Sequence, residues 1–200
     1  MRKKTFVTSN IKKQKRLYYI LIGLALVAFI IGILFLFIIS DDNKLLINQK
    51  LKEYFSHKND EVAFFFKSLF NNFIFIIVLW TLGISIIGIP IIIVLLLFKS
   101  FIFGFSISSI VSTFGIKGLL ISLIHTIISN GIYLIIVLLV TFYSISFSVK
   151  LFKSLFLRKN IDFKDSINKY IKILLISLST SVIISIYESF ISNNILNLFI

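Results

Sequence analysis

Cysteine is absent from this 200-residue chain, proline occurs once, and charged residues make up only 14%. Without cysteine there is no disulfide framework, no thiolate nucleophile and no cysteine metal site, and the redox compartment is not readable. The two histidines, His57 and His125, stand far apart in sequence and lack the clustered partners of a zinc site. Acidic residues number 8 against 21 basic ones, and no two acids are set together on a fixed element as acid–base catalysis requires. No serine sits in a nucleophile elbow, and no glycine-rich loop opens a helix as in nucleotide sites. The chain is therefore expected to be no enzyme and to hold no cofactor and no metal. No small-molecule substrate is expected either.

What is present is apolar: 58% of residues are hydrophobic, and a soluble domain would carry about a quarter charged residues. A membrane-spanning helix needs roughly 20 apolar residues at about 1.5 Å each, and Tyr18 to Ser40 supplies one without a charge before Asp41. Its apolar run exceeds a signal-peptide core and no small-residue cleavage site follows, so it reads as a retained anchor. The formal net charge of +13 is gathered beside apolar runs. That placement points to a membrane surface and not to nucleic acid. Arg2, Lys3, Lys4, Lys12, Lys13, Lys15 and Arg16 form one cluster; Lys150, Lys153, Arg158, Lys159, Lys164, Lys169 and Lys172 form another. Both are expected in the cytoplasm, where they also attract anionic lipid headgroups.

Topology follows from length. A cytoplasmic N-terminus places residues 41–67 outside, where five lysines face Asp41, Asp42, Glu53, Asp60 and Glu61. An odd number of spans then leads to the inner loop at 150–172. Residues 72–149 would extend about 117 Å as helix, too long for one crossing of about 30 Å and too short for five. Three are expected, followed by a last span over 173–192 and an outer tail. The fold class is thus an all-α integral membrane protein of about five transmembrane helices, N-terminus in and C-terminus out. The basic segment 1–17 precedes one polytopic domain over 18–200. Within the middle region, Pro90 predicts either a tight turn or, as the preferred reading, a kink inside a long helix. The kink carries Lys99 to the inner interface and leaves a short helix from Phe101 to about Thr113. A turn would put Lys99 near the bilayer centre, at a cost of at least about 2.5 kcal/mol. A second break is expected at Ser129-Asn130-Gly131.

Small residues at four-residue spacing let helix backbones approach in lipid. Two stripes show this spacing, Ser100, Gly104, Ser108 and Ser112 in one span and Ser177, Ser181, Ser185 and Ser189 in the last. Helix packing, with hydroxyls bonded to the preceding turn, is the preferred role, and a polar conduit is the alternative. Glu188 lies about 24 Å along the last helix from Lys172 beside Tyr187, which suits snorkelling to the outer interface. In the outer loop, Ile47, Leu51, Tyr54 and Phe55 recur at helical spacing. They predict an amphipathic helix of about 14 residues, either lying on headgroups or docking an external partner. Asp162 is a candidate N-cap for the last helix.

The stretch from Leu79 to His125 carries Leu-Trp-Thr-Leu-Gly-Ile-Ser-Ile-Ile-Gly-Ile-Pro, then Phe98-Lys99-Ser100-Phe101, Phe103-Gly104-Phe105 and Gly115-Ile116-Lys117-Gly118. It resembles the stage II sporulation protein M family, with Gly83, Gly88, Pro90, Lys99, Gly104, Gly115, Lys117 and Gly118 on recurring positions and a core motif region over 71–150. The proline often found near Ser129-Asn130 in the family is absent. The resemblance implies a multi-pass cell-membrane protein of endospore formers, acting at the septal or engulfing membrane. It implies a scaffold that holds a peptidoglycan-degrading complex with stage II sporulation proteins D and P. A permease or transporter subunit is the competing expectation, and intramembrane charge at Lys99, Lys117 or Glu188 would discriminate.

Overall fold

The computed structural model describes residues 2–56, 61–157 and 163–192. Among these the chain is helical: α1 (Arg2–Ile38), α2 (Asp41–Ser56), α3 (Glu61–Leu82), α4 (Gly88–Ile121), α5 (Ile128–Leu157) and α6 (Phe163–Ile186). Two π-helical stretches, Ser122–Ile127 and Tyr187–Ser192, precede α5 and follow α6. His57, Arg158, Lys159, Asp162 and the tail 193–200 lie outside the described residues. Helix α1 runs unbroken through the basic segment into the first span. Taking that basic end as cytoplasmic, the α2 end of the bundle is the outer one.

Four stretches are long and apolar enough to cross a bilayer, and one of them, Gly88–Ser154, has 67 residues. At 1.5 Å per residue it would measure about 100 Å, so it cannot be one crossing. Gly115 resolves the length. Its φ of 60° and ψ of −133° interrupt α4, and the chain doubles back there. A Cβ on Gly118 would stand 2.5 Å from the Ile110 carbonyl oxygen, although eight residues of straight helix span about 12 Å. The crossings among the described residues are therefore five: α1, α3, α4 to Phe114, the leg from Ile116 through α5, and α6.

Pro90 is the third residue of α4, where a missing N–H goes unused because the first helical turn has no carbonyl to meet it. Helix α3 stops at Leu82, and turn bonds such as Ser85 N to Leu82 O (3.1 Å) and Gly88 N to Ser85 O (3.2 Å) lead into α4. The expected kinked helix with a short 101–113 successor is thus corrected to a tight hairpin. Lys99 lies 5.6 Å from the Phe75 ring centre, a meeting that one continuous helix would forbid. The break expected at Ser129-Asn130-Gly131 is also absent. Helix α5 is continuous there, and the irregularity falls earlier, in the π-helical stretch where Ser129 Oγ donates to the His125 carbonyl.

Helix α4 buries Ile92, Leu96, Ser100 and Gly104 while Val94, Phe98 and Ile102 face outward. An apolar exterior of this kind suits lipid as solvent. The interior cluster joins Leu21 and Ala25 of α1 with Ile76, Leu79, Tyr133, Val137, Val140 and Ile184.

The Gly115 turn makes a clean prediction. Nothing lies within 4 Å of a Cβ added there, so Gly115→Ala adds no clash and only forces a side chain into a conformation that favours glycine. A loss of about 1–3 kcal/mol in a detergent melt is expected. An unchanged midpoint would show that the turn relaxes to another geometry.

Candidate functional site

Polar residues meet at three levels of the bundle. At the inner end, Tyr170 of α6 donates to the Trp80 carbonyl (2.5 Å) and pairs with the Ser144 hydroxyl (3.0 Å). Its ring stacks on Trp80 at 5.1 Å and on Phe147 at 4.4 Å. Gly83 makes room, since a Cβ there would lie 2.2 Å from the Tyr170 oxygen. Ser148 Oγ donates to the Ser85 carbonyl (3.0 Å), tying α5 to the α3–α4 turn.

At mid-depth, Lys99 stands eleven residues into α4, about 16 Å along the helix. Its ammonium lies 4.6 Å from the Tyr133 ring centre and 5.6 Å from that of Phe75. Aromatic faces recover part of the desolvation cost of a cation, about 0.5–2 kcal/mol. Tyr133 donates to the Asn72 carbonyl (2.9 Å). The Asn72 amide reaches Ser68 Oγ (3.4 Å) and Ser185 Oγ (3.5 Å). Ser68 donates to a carboxylate oxygen of Glu188. Glu188 is half-buried between α3 and the end of α6, in place of the expected snorkelling position, and its field reaches Lys99 and Tyr133. The two intramembrane charges thus face one polar cluster joining four helices, the turn-dependent placement of Lys99 that the kink was expected to avoid.

At the outer end, α2 folds down onto the bundle. Ser40 and Asn43 join side chain to side chain (3.0 Å) at its start, and Asp41 and Asp42 occupy the first turn, where acids suit the helix dipole. Phe55 is buried against Ile110 and Ile121, with Leu51, Tyr54 and Phe114 packed around them. His125 lies 5.6 Å from the Phe55 ring, and Thr113 Oγ1 donates to Asn48 Oδ1 (2.7 Å). Burial first, then the Glu188 charge, pushes the Tyr54 hydroxyl up to about 12. The apolar face of Ile47, Leu51, Tyr54 and Phe55 is turned to the chain's own helices. This is a third placement beside the headgroup and partner roles expected of it, because Ile110, Phe114 and Ile121 supply an apolar surface within the chain.

Both small-residue stripes lie at helix contacts. A Cβ on Gly104 would stand 2.1 Å from the Phe29 carbonyl oxygen, and one on Gly32 would stand 2.1 Å from that of Phe101. Ser108 Oγ donates to the Ile33 carbonyl (3.2 Å), while Ser112 is exposed. Ser100, Ser177, Ser181 and Ser189 bond to carbonyls one turn back, at 2.6–3.0 Å. Ser185 joins the cluster around Asn72. Gly88 abuts the Leu82 carbonyl. Lys117 is exposed at the outer turn, and no contact explains it. Gly32, Tyr133, Asn72, Ser68 and Tyr170 do not stand out in the sequence, though Ala28 and Gly32 have the small-residue spacing that would flag α1. Among the described residues, no three of His, Asp and Glu gather as a metal site requires.

The sequence model of the family described as stage II sporulation protein M matches residues 25–193. No curated protein and no solved structure matches the chain significantly.

Proposed function

Since the chain belongs to the stage II sporulation protein M family, and is a multi-pass membrane protein, we propose that it is a non-catalytic scaffold of the peptidoglycan-degrading complex of endospore formation. In this role it holds partner hydrolases, with stage II sporulation proteins D and P, at the septal or engulfing membrane. The supporting observation is the use the bundle makes of its polar groups. Serine hydroxyls bond to the backbone, Tyr170 and Tyr133 bridge helices, and α2 is clamped on the outer end. These are features of a fixed frame. Because the apolar face of α2 is turned toward the bundle, partner contact falls to its outward face, where Leu45, Leu46, Gln49 and Lys52 are exposed.

Deleting the protein is expected to disperse a fluorescent partner hydrolase from the septum and to block engulfment. Leu46→Asp with Lys52→Glu should reproduce the dispersal while shifting the purified protein's stability by less than about 0.5 kcal/mol, as is usual for surface changes. Normal engulfment in the deletion strain would overturn the scaffold. A transporter subunit is the second reading, favoured by Lys99 at mid-membrane depth, since intramembrane charges commonly mark transport paths.

A further inference from the structure

Helix α3 exposes a carboxamide at the depth where lipid is driest. Asn71 is the eleventh of its 22 residues, about 15 Å from the outer end, which is the middle of a crossing of about 30 Å. The residue is exposed. Its side chain has no hydrogen-bond partner among the described residues, whereas the amide of Asn72 beside it reaches Ser68 and Ser185 inside the bundle. Thr81, Ser179 and Thr180 satisfy their hydroxyls on carbonyls three or four residues back in their own helices. Asn71 has no such bond. A carboxamide offers two donors and an acceptor, and hydrocarbon answers none of them, so a bare one at this depth is costly. Headgroups cannot relieve it, because a side chain this short does not cover 15 Å.

The face around Asn71 indicates what does. Lys67, Asn71, Ile74, Val78 and Thr81 are all exposed and succeed one another at four- and three-residue spacing, the seam of a left-handed helix pair. Helix α3 is also the least enclosed candidate span, 11% buried against 22–28% for the others. The amide selects the occupant. It is self-complementary, and two copies inserted with one topology run their α3 helices parallel, so a twofold axis along the membrane normal brings Asn71 to Asn71 at equal depth. We propose that the protein forms a homodimer in the membrane through α3, each Asn71 donating to the amide oxygen of the other across the seam. Ile74 and Val78 supply the apolar contact beyond it. Lys67 lies one turn nearer the outer surface, and its long stem carries the ammonium toward the headgroups, which keeps the like charges apart. The interface stands independently of the scaffold and transport readings.

The chain has no cysteine of its own, so single cysteines report the contact directly. In phosphatidylcholine vesicles under mild oxidation, full-length Ile74→Cys or Val78→Cys protein is expected to form a disulfide-linked dimer. Val94→Cys, exposed on α4, should crosslink at least tenfold less. Adding Asn71→Leu to Ile74→Cys at high lipid-to-protein ratio should cut the crosslinked fraction by at least about fivefold, since two hydrogen bonds between helices are lost. Asn71 packs outside the core, so the melt of the purified Asn71→Leu monomer should match that of the parent, which separates lost association from misfolding. Monomers from both α3 cysteines would assign the face to the helix of a different protein and overturn the proposal. Equal crosslinking at Ile74 and Val94, or crosslinking indifferent to Asn71→Leu, would also overturn it.

Discussion

Replacing Gly104 with leucine is expected to lower the stability of the bundle by at least about 3 kcal/mol, the upper end of ordinary overpacking losses. At this crossing two backbones meet directly. A Cβ on Gly104 would sit 2.1 Å from the Phe29 carbonyl oxygen, and one on the reciprocal residue, Gly32, would sit 2.1 Å from that of Phe101. The obstacle is backbone, so no rotamer change relieves it, and α1 and α4 must separate. In lipid no hydrophobic effect between helices compensates for the van der Waals packing that separation destroys. The surrounding pairs, Phe29 with Phe103 at 5.2 Å and Phe35 with Phe101 at 5.3 Å, would open with them. Ser181→Ala provides the contrast. It deletes a hydroxyl bonded within its own helix to the Ser177 carbonyl, and since even hydrogen bonds between helices in membranes average only about 0.6 kcal/mol, its loss should be mild. Melting in mild detergent separates the two cases. A Gly104→Leu midpoint within a degree of the parent would refute close backbone contact.

The second large effect concerns the intramembrane charges. Glu188→Gln leaves Lys99 as the only formal charge in the cluster, at mid-bilayer depth. A loss of about 2 kcal/mol is expected, below the about 3–5 kcal/mol of a broken buried ion pair, because Glu188 is half-buried and acts on Lys99 through its field and not through a salt bridge. Lys99→Met should cost less, under about 1 kcal/mol, since the thioether suits the Phe75 and Tyr133 rings and Glu188 keeps its bond from Ser68. The double variant should fall within about 1 kcal/mol of the parent, because apolar or neutral replacements of a whole buried pair are often nearly neutral. Strict additivity of the two losses in a double-mutant cycle would show that the charges do not compensate each other. The same variant separates the functional readings. A scaffold should still support engulfment with both charges removed, whereas a folded but inactive double variant would favour transport.

The sequence made the membrane class, the number of crossings and the outer amphipathic helix legible, because each rests on run length and charge. Bilayer thickness turns the length of residues 72–149 into three spans without any knowledge of where they divide. The division is misread at Pro90. A proline is compatible with both a kink and a first helical turn, and the energetic argument against a central lysine favours the wrong alternative. It omits the aromatic rings of Phe75 and Tyr133, which lie on α3 and α5 and reach Lys99 only after folding. Glu188 is misplaced for the same reason, since Ser68 is 120 residues away in the chain. The glycines serve better as punctuation than as explanation. Their pattern carries the resemblance to the family, but only the backbone geometry distinguishes Gly104, which admits a neighbouring helix, from Gly115, which reverses the chain. The inward turn of α2 is illegible because an amphipathic face looks the same whether it meets headgroups, a partner or its own bundle.

The two π-helical stretches lie side by side, joined by Tyr187 Oη donating to the Ile124 carbonyl (2.8 Å). A π-turn holds one residue more than the α-turn it replaces, so each stretch is a place where the chain's length and its angular phase are decoupled. A homologue shorter by one residue between Ser122 and Ile127 would relax to α-helix and still present Tyr133, Val137 and Ser144 to the same neighbours. Among the described residues these segments are therefore positions within the membrane where loss of a single residue is compatible with an unchanged interior, and where alignments of the family should place gaps.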